Sequence, residues 1–246
     1  MAEKIRDLNN NNNNNNIKTE SALNLLKEVA RLLGVKEGNI SMTIEDIKEI
    51  LLKETKVRVG DVVMKDFSIV KPIEAKDRLN KAFGIVFYVN GSDVRFIALE
   101  KLEKILKFKT ENTFVSIHLP LYENESSVRK DMNGKMNSEI IKNAPDFSKE
   151  KYPSMGYCMD YNRFGFDRGM WYLPSIGELE QIYNSKEKLN ETLKILDKEE
   201  ISNYWYTSSS DNCSEMIWWF SMLSNDVSYS NKDSYGWILP CSSITI

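Results

Sequence analysis

Histidine is almost missing from this 246-residue chain: the one imidazole, His118, sits in the run Ile117-His118-Leu119-Pro120. An aliphatic, proline-bounded setting marks it as structural, and no G-x-S-x-G elbow, H-E-x-x-H pair or phosphate-cradling glycine loop accompanies it. The chain is therefore expected to be non-enzymatic, with no catalytic residue. Cysteine is nearly as scarce. Cys158, Cys213 and Cys241 are odd in number, widely spaced and form no C-x-x-C, which argues against a disulfide framework or a zinc cage. They are expected to be free thiols of a protein made in a reducing cytoplasm, and neither a metal nor a cofactor is expected. An excess of one charge is also lacking. The 33 Lys and Arg residues are dispersed among 36 Asp and Glu for a net charge of -3, which leaves no basic footprint for a phosphate backbone and removes nucleic acid from the expected partners. Apolar runs such as Ile85–Val89 fall far short of the roughly 20 residues that a membrane-spanning helix needs, so no membrane insertion is expected. The first ten residues have neither the apolar stretch nor the small-residue cleavage site of a secretory leader.

What is present divides the chain into four stretches. Residues 1–16 combine a short tip with the run Asn9 to Asn16, which has no apolar side chain to bury and is expected to be a spacer. Residues 17–55 form a helical segment. Ala22, Leu25, Leu26, Val29, Leu32 and Leu33 recur at helical spacing before Gly34, and Thr43-Ile44-Glu45-Asp46 has capping-box form ahead of Ile47, Ile50 and Leu51. Those stripes can pair between chains or pack on the neighbouring β stretch. Residues 56–130 change to β texture, with Val57, Val59, Val62 and Val63 ahead of a strand over Ile85 to Val89. Asn90-Gly91 is a type I′ hairpin signal, and Val94, Phe96, Ile97 and Leu99 mark the returning strand. Asn112 to Lys130 shows no clear periodicity and is expected to be irregular.

Residues 131–246 carry an ordered set of motifs: Asp131-Met132-Asn133-Gly134-Lys135, Tyr157-Cys158-Met159-Asp160-Tyr161, Gly169-Met170-Trp171-Tyr172-Leu173-Pro174-Ser175, Gly177-Glu178-Leu179 and Tyr204-Trp205-Tyr206-Thr207-Ser208-Ser209. Ser175 and Glu178 have S-x-x-E spacing, and Pro174 blocks backward extension of the helix they start. Ile176, Leu179, Ile182 and Tyr183, then Leu189, Leu193 and Leu196, give two helices that would flank a sheet. This series resembles the C-type-lectin-like domains at the C-terminal ends of Bacteroides-type surface proteins and of phage and bacterial variable proteins diversified by retroelements. The resemblance covers about the last hundred residues and, more loosely, the small β unit, and implies a C-terminal ligand-display domain; with the N-terminal helical segment the expected fold is α+β. Formylglycine-generating enzymes share a related fold, but their paired cysteines have no counterpart here. Sugar-binding lectins of this fold hold calcium through an acid-Pro-amide loop and a Trp-Asn-Asp strand, and neither triplet is present; Leu239-Pro240-Cys241 supplies no side-chain oxygen, and Asn225-Asp226 reads as a turn.

The stretch Ser202 to Ser243 is crowded with Ser, Asn, Asp, Tyr and Trp, the residue set of adaptable binding surfaces. Alternation in Trp218 to Leu223 places Trp218, Phe220 and Met222 on a core face and Trp219, Ser221 and Leu223 opposite, with a turn at Ser224-Asn225-Asp226. Trp205 and Trp218 are assigned to the core, and Trp237 is left between core and surface. Trp219, Ser221, Tyr229, Tyr235, Asn212 and Asn231 are the expected ligand-binding residues. The expected protein is a phage virion fibre, made in the host cytoplasm and joined to other virion proteins through its N-terminus, that meets a host-surface or gut glycan or protein. The alternatives are a purely structural virion or fimbrial component, or an adhesin on the bacterial cell surface. A homo-oligomer, dimer or trimer, is expected because linked copies multiply weak binding.

Overall fold

β-Branched and aromatic residues dominate the first strands, and their continuous apolar runs mark strands covered on both faces rather than one. The computed structural model describes residues 56–99, 105–110, 119–161, 170–213 and 215–246. The Asn run, both N-terminal helical patterns and His118 lie outside the described residues. Residues 57–246 form one unit with mixed α+β content.

Ten strands build two five-stranded sheets among the described residues. The first has the order β10-β4-β3-β1-β2, with β1 Val62–Met64, β2 Ile69–Val70, β3 Ala82–Asn90, β4 Asp93–Ala98 and β10 Cys241–Thr245. The second has the order β5-β9-β6-β7-β8, with β5 Ile105–Lys107, β6 Trp205–Asp211, β7 Met216–Ser221, β8 Val227–Asn231 and β9 Tyr235–Trp237. The helices are α1 Pro72–Lys76, α2 Glu125–Val128, α3 Gly134–Lys142, α4 Pro153–Asp160, α5 Ile176–Asn184 and α6 Lys186–Ile195. The stretch expected to be irregular thus contains α2, whose N-cap Asn124 accepts from Ser127 N–H at 2.9 Å.

The β3–β4 hairpin forms as expected, with one change at its tip. Asn90 pairs with Asp93, so the turn residues are Gly91-Ser92 rather than Asn90-Gly91. Of these only Gly91 has positive φ, +58°, which is the requirement of a II′ turn and not of the I′ turn.

Residues 56–130 and 131–246, separable by texture, share one sheet. Cys241 pairs with Ile97 and Ser243 with Arg95, so the end of the chain completes the sheet that the early strands begin. One core binds both sheets together: Ile85 and Phe87 of β3 meet Ile176, Leu179 and Ile182 of α5, Leu189 and Leu193 of α6, and Trp218 and Phe220 of β7. A second cluster lies behind the second sheet, where Ile217 and Leu173 meet Ile141 of α3 and Met155 and Cys158 of α4. A third lies behind the first sheet, where Trp171 packs between Phe83, Phe96 and Tyr161 with ring centroids 4.7–5.5 Å away. Both faces of the second sheet are therefore covered in part, so alternation along its strands does not by itself separate core from surface.

Candidate functional site

The motif residues come together first as a buried junction. Glu178 starts α5 and is fully buried. Its Oε2 accepts from Ser175 N–H at 2.9 Å, closing the capping box, and its Oε1 accepts from Arg95 Nη1 at 2.6 Å and from Tyr172 Oη at 2.8 Å. Arg95 reaches this point from β4 and also donates to Asp93 and to the Met132 carbonyl. Asp131, 1% exposed, does the same for α3: its side chain accepts from Asn133 N–H, Asn137 Nδ2 and Ser210 Oγ. Its carbonyl accepts from Gly177 N–H at 2.8 Å and Ser175 Oγ at 2.6 Å. The backbones approach closely here. A Cβ on Gly177 would lie 2.5 Å from the Asp131 carbonyl oxygen, and one on Gly134 would lie 2.1 Å from Glu178 Oε2. Of the motif residues, Asp131, Gly134, Tyr172, Ser175, Gly177 and Glu178 lie at the joint of α3, α5, β4 and β6, and the Asp131 and Glu178 carboxylates accept from protein donors.

Desolvation pushes the Glu178 carboxyl above its ordinary 4.5, against the opposing pull of Ser175, Arg95 and Tyr172. It raises Asp211 above 3.8 in the same way, against the buried Lys232 whose Nζ lies 2.6 Å from Asp211 Oδ1. A carboxyl with a higher pKa folded than unfolded binds its proton more tightly in the folded state. Its contribution to stability is full below the unfolded pKa and is lost as pH climbs through the folded one. Urea midpoints are therefore expected to fall as pH rises above 4.5, with a shallower slope in Glu178→Gln; a midpoint that climbs through that window would contradict the assignment. Burial also pushes the Cys158 and Cys241 thiols up, so neither behaves as a reactive thiolate. Among the described residues no group of three or more His, Cys, Asp or Glu is placed to hold a metal ion.

The six expected ligand residues do not form one patch. Trp219 pairs with Ser228, whereas Trp218 pairs with Tyr229, so Trp219 and Tyr229 point to opposite faces of the sheet. Alternation places Trp219 and Ser221 correctly opposite Trp218, but that face is roofed by α3 and α4. Trp219 is half-buried against the second cluster. Ser221 is buried and organises the β7–β8 turn, its Oγ accepting from Leu223 and Ser224 N–H at 3.3 Å. Asn212 is half-buried and donates to the Tyr122 carbonyl at 3.2 Å. Tyr229, Asn231 and Tyr235 are exposed, as expected. From the register, Tyr229 and Tyr235 stand three strands apart and four residues apart along the sheet, about 14 Å by about 13 Å.

Around Tyr235 the structure assembles a different set. Tyr206 lies beside Trp237 and Ile105 lies opposite it, while Lys107 lies opposite Tyr235, so Ile105, Lys107, Tyr235 and Trp237 share one face with Tyr204. Tyr204 stacks on Trp237 with centroids 4.4 Å apart and planes 2° from parallel. Lys107 Nζ lies 5.2 Å from the Tyr235 ring centroid. Tyr204, Tyr235 and Ile105 are 50%, 64% and 47% exposed. This aromatic platform at the β5/β9 edge is the candidate site. Of its members only Tyr235 is recognisable from the sequence, because Ile105 and Tyr204 are nearly a hundred residues apart and meet only through β9. Trp205, assigned to the core, is 38% exposed on the opposite face, and Trp218 is buried as expected.

No family model matches the sequence, and no curated protein matches it. Among solved structures, a fimbrial protein from Bacteroides ovatus is similar with a TM-score of 0.60 and 19% identity, over 76% of this chain and 49% of that one. The chain spans about half the length of that fimbrial protein, and the likeness is one of fold.

Proposed function

We propose that the chain is a non-enzymatic surface component of fimbrial type that presents the aromatic platform to a glycan or protein ligand. The observation that carries this is where aromatic area is left in solvent. Among the described residues five aromatic side chains are exposed, and four of them, Tyr204, Trp205, Tyr229 and Tyr235, lie on or beside the second sheet; Phe67 is the fifth. Aromatic surface is usually buried, and rigid exposed rings supply contact area at small entropic cost. The resemblance of the motifs to C-type-lectin-like display domains supports the same reading, with those motifs serving as the joint that holds the display surface. For the setting, the fold shared with a fimbrial protein favours the cell-surface alternative over the virion fibre, and nothing in the fold bears on a virion. Attachment through residues 1–55 belongs to the proposal as well.

The test is binding of the full chain to a glycan panel and to intestinal mucin. Tyr204→Ala with Tyr235→Ala is expected to weaken binding tenfold or more while costing on the order of 1–2 kcal/mol of stability, because both rings are exposed and the loss is one stacking contact and one exposed cation–π contact. Tyr229→Ala, at the far corner of the sheet, should leave the affinity for a monovalent glycan within about twofold on the same arithmetic. Binding that survives loss of the platform, or no binding to either probe, would instead favour a purely structural component.

A further inference from the structure

Among the described residues the two sheets have four edge strands; two are very short, and a third is met by another segment at its first residue. β2 has two residues and β5 three, and the outer side of β10 is met at Cys241 by Tyr172, each donating its N–H to the other's carbonyl. β8 is different. It runs five residues, Val227-Ser228-Tyr229-Ser230-Asn231, with no charge, proline or bulge, and among the described residues nothing pairs with its outer side. Such an edge is a template for another strand, and proteins normally guard against it.

The direction of its free groups is set by the ladder. Ser221 N–H donates to the Asp226 carbonyl and Lys232 N–H to the Glu215 carbonyl, so even-numbered residues of this stretch bond inward to β7. In an antiparallel pair the alternate residues then point outward. Val227, Tyr229 and Asn231 therefore offer N–H and C=O to solvent. The sequence around Tyr229 reads nearly the same in both directions, with serine on either side. A second copy in antiparallel orientation, related by a two-fold axis at Tyr229, would set Tyr229 opposite Tyr229, Ser228 opposite Ser230 and Val227 opposite Asn231. Each outward residue would exchange two backbone hydrogen bonds with its opposite. A two-fold placed elsewhere along the strand leaves some of these groups without a partner.

We propose that β8 is a homodimer interface, in which two copies join edge to edge, centred on Tyr229, into one continuous ten-stranded sheet. This does not rest on the ligand reading, but it has a consequence for it. The β5/β9 platforms end up at opposite extremes of the joined sheet, nine strand spacings or about 40 Å apart, so that one dimer carries two separate platforms.

Light scattering on the full chain at tens of micromolar is expected to give twice the 28.5 kDa chain mass. Tyr229→Pro removes an outward N–H while leaving the inward ladder whole, and it should halve the measured mass. Tyr229→Lys should do the same, and it decides the matter if the proline variant fails to fold. For register, in a Cys213→Ser background, Ser228→Cys mixed with Ser230→Cys should form a disulfide-linked dimer on oxidation, while each variant alone should not. A monomeric full chain, a mass unmoved by folded Tyr229 variants, or crosslinking of either cysteine variant with itself would each overturn the proposal. Glycan binding that persists in the Tyr229 monomer leaves the platform reading intact, so the two fail separately.

Discussion

Glu178→Ala is expected to lower the free energy of unfolding by about 3–5 kcal/mol, a large share of the stability of a domain this size. Three losses combine. The capping box loses the half that satisfies Ser175 N–H, at about 1 kcal/mol. The Tyr172 hydroxyl, in a side chain 3% exposed, loses its acceptor, which costs roughly 1–3 kcal/mol for a buried donor left unpaired. Arg95 loses the carboxylate at 2.6 Å but keeps Asp93 and the Met132 carbonyl, so its charge is only partly stranded. Glu178→Gln is expected to cost less, about 1–3 kcal/mol, because an amide oxygen can still accept from Ser175 N–H while its NH2 faces the guanidinium. Urea titration of the three proteins measures both numbers. A loss under about 1 kcal/mol for Glu178→Ala would mean that the junction is not what holds α5 to β4.

The capping box at Ser175 is legible in the sequence because its signal is local: two residues three apart, with a proline ahead. The same holds for the apolar faces of α5 and α6, where Ile176, Leu179, Ile182, Leu189 and Leu193 are all buried. The β3–β4 hairpin is legible too, though the glycine takes the first turn position instead of the second. What escapes is what depends on distant chain segments. Alternation along β7 sorts Trp218 from Trp219, but it cannot tell that α3 and α4 roof the Trp219 face. Ser221 reads as a contact residue for that reason. Nor does texture reveal that Cys241–Thr245 pairs with Asp93–Ala98, since both strands are plausible in separate domains and only their pairing joins them. The motifs at Asp131, Gly134 and Gly177 stand out in the sequence without a role, because the groups they touch lie on other elements.

Gly134→Ala is the substitution for which local and distant effects oppose each other most clearly. Gly134 opens α3, and helix propensity alone favours alanine over glycine by up to about 1 kcal/mol. The surroundings reverse the sign. A Cβ there would lie 2.1 Å from Glu178 Oε2, 2.8 Å from Ser175 N and 3.0 Å from the Leu173 carbonyl oxygen. Two of these are backbone atoms, and the third belongs to a carboxylate held by Ser175, so none is the loose end of a flexible side chain. The helix must move or the capping box must open, and the expected loss is about 3 kcal/mol or more. Gly91 is the contrast. Its φ is +58° with nothing within 4 Å of an added Cβ, so Gly91→Ala should cost only the positive-φ backbone penalty, on the order of 1–3 kcal/mol. The mechanism has a sharper signature than magnitude. If the methyl group acts by striking Glu178, then Gly134→Ala should cost far less in a Glu178→Ala background, where the struck oxygen is gone. A double-mutant cycle by urea unfolding should show coupling above about 1 kcal/mol, with the pair less damaging than the sum of its members. Strict additivity would place the damage at the Ser175 and Leu173 backbone instead and remove Glu178 from the account of why glycine is needed there.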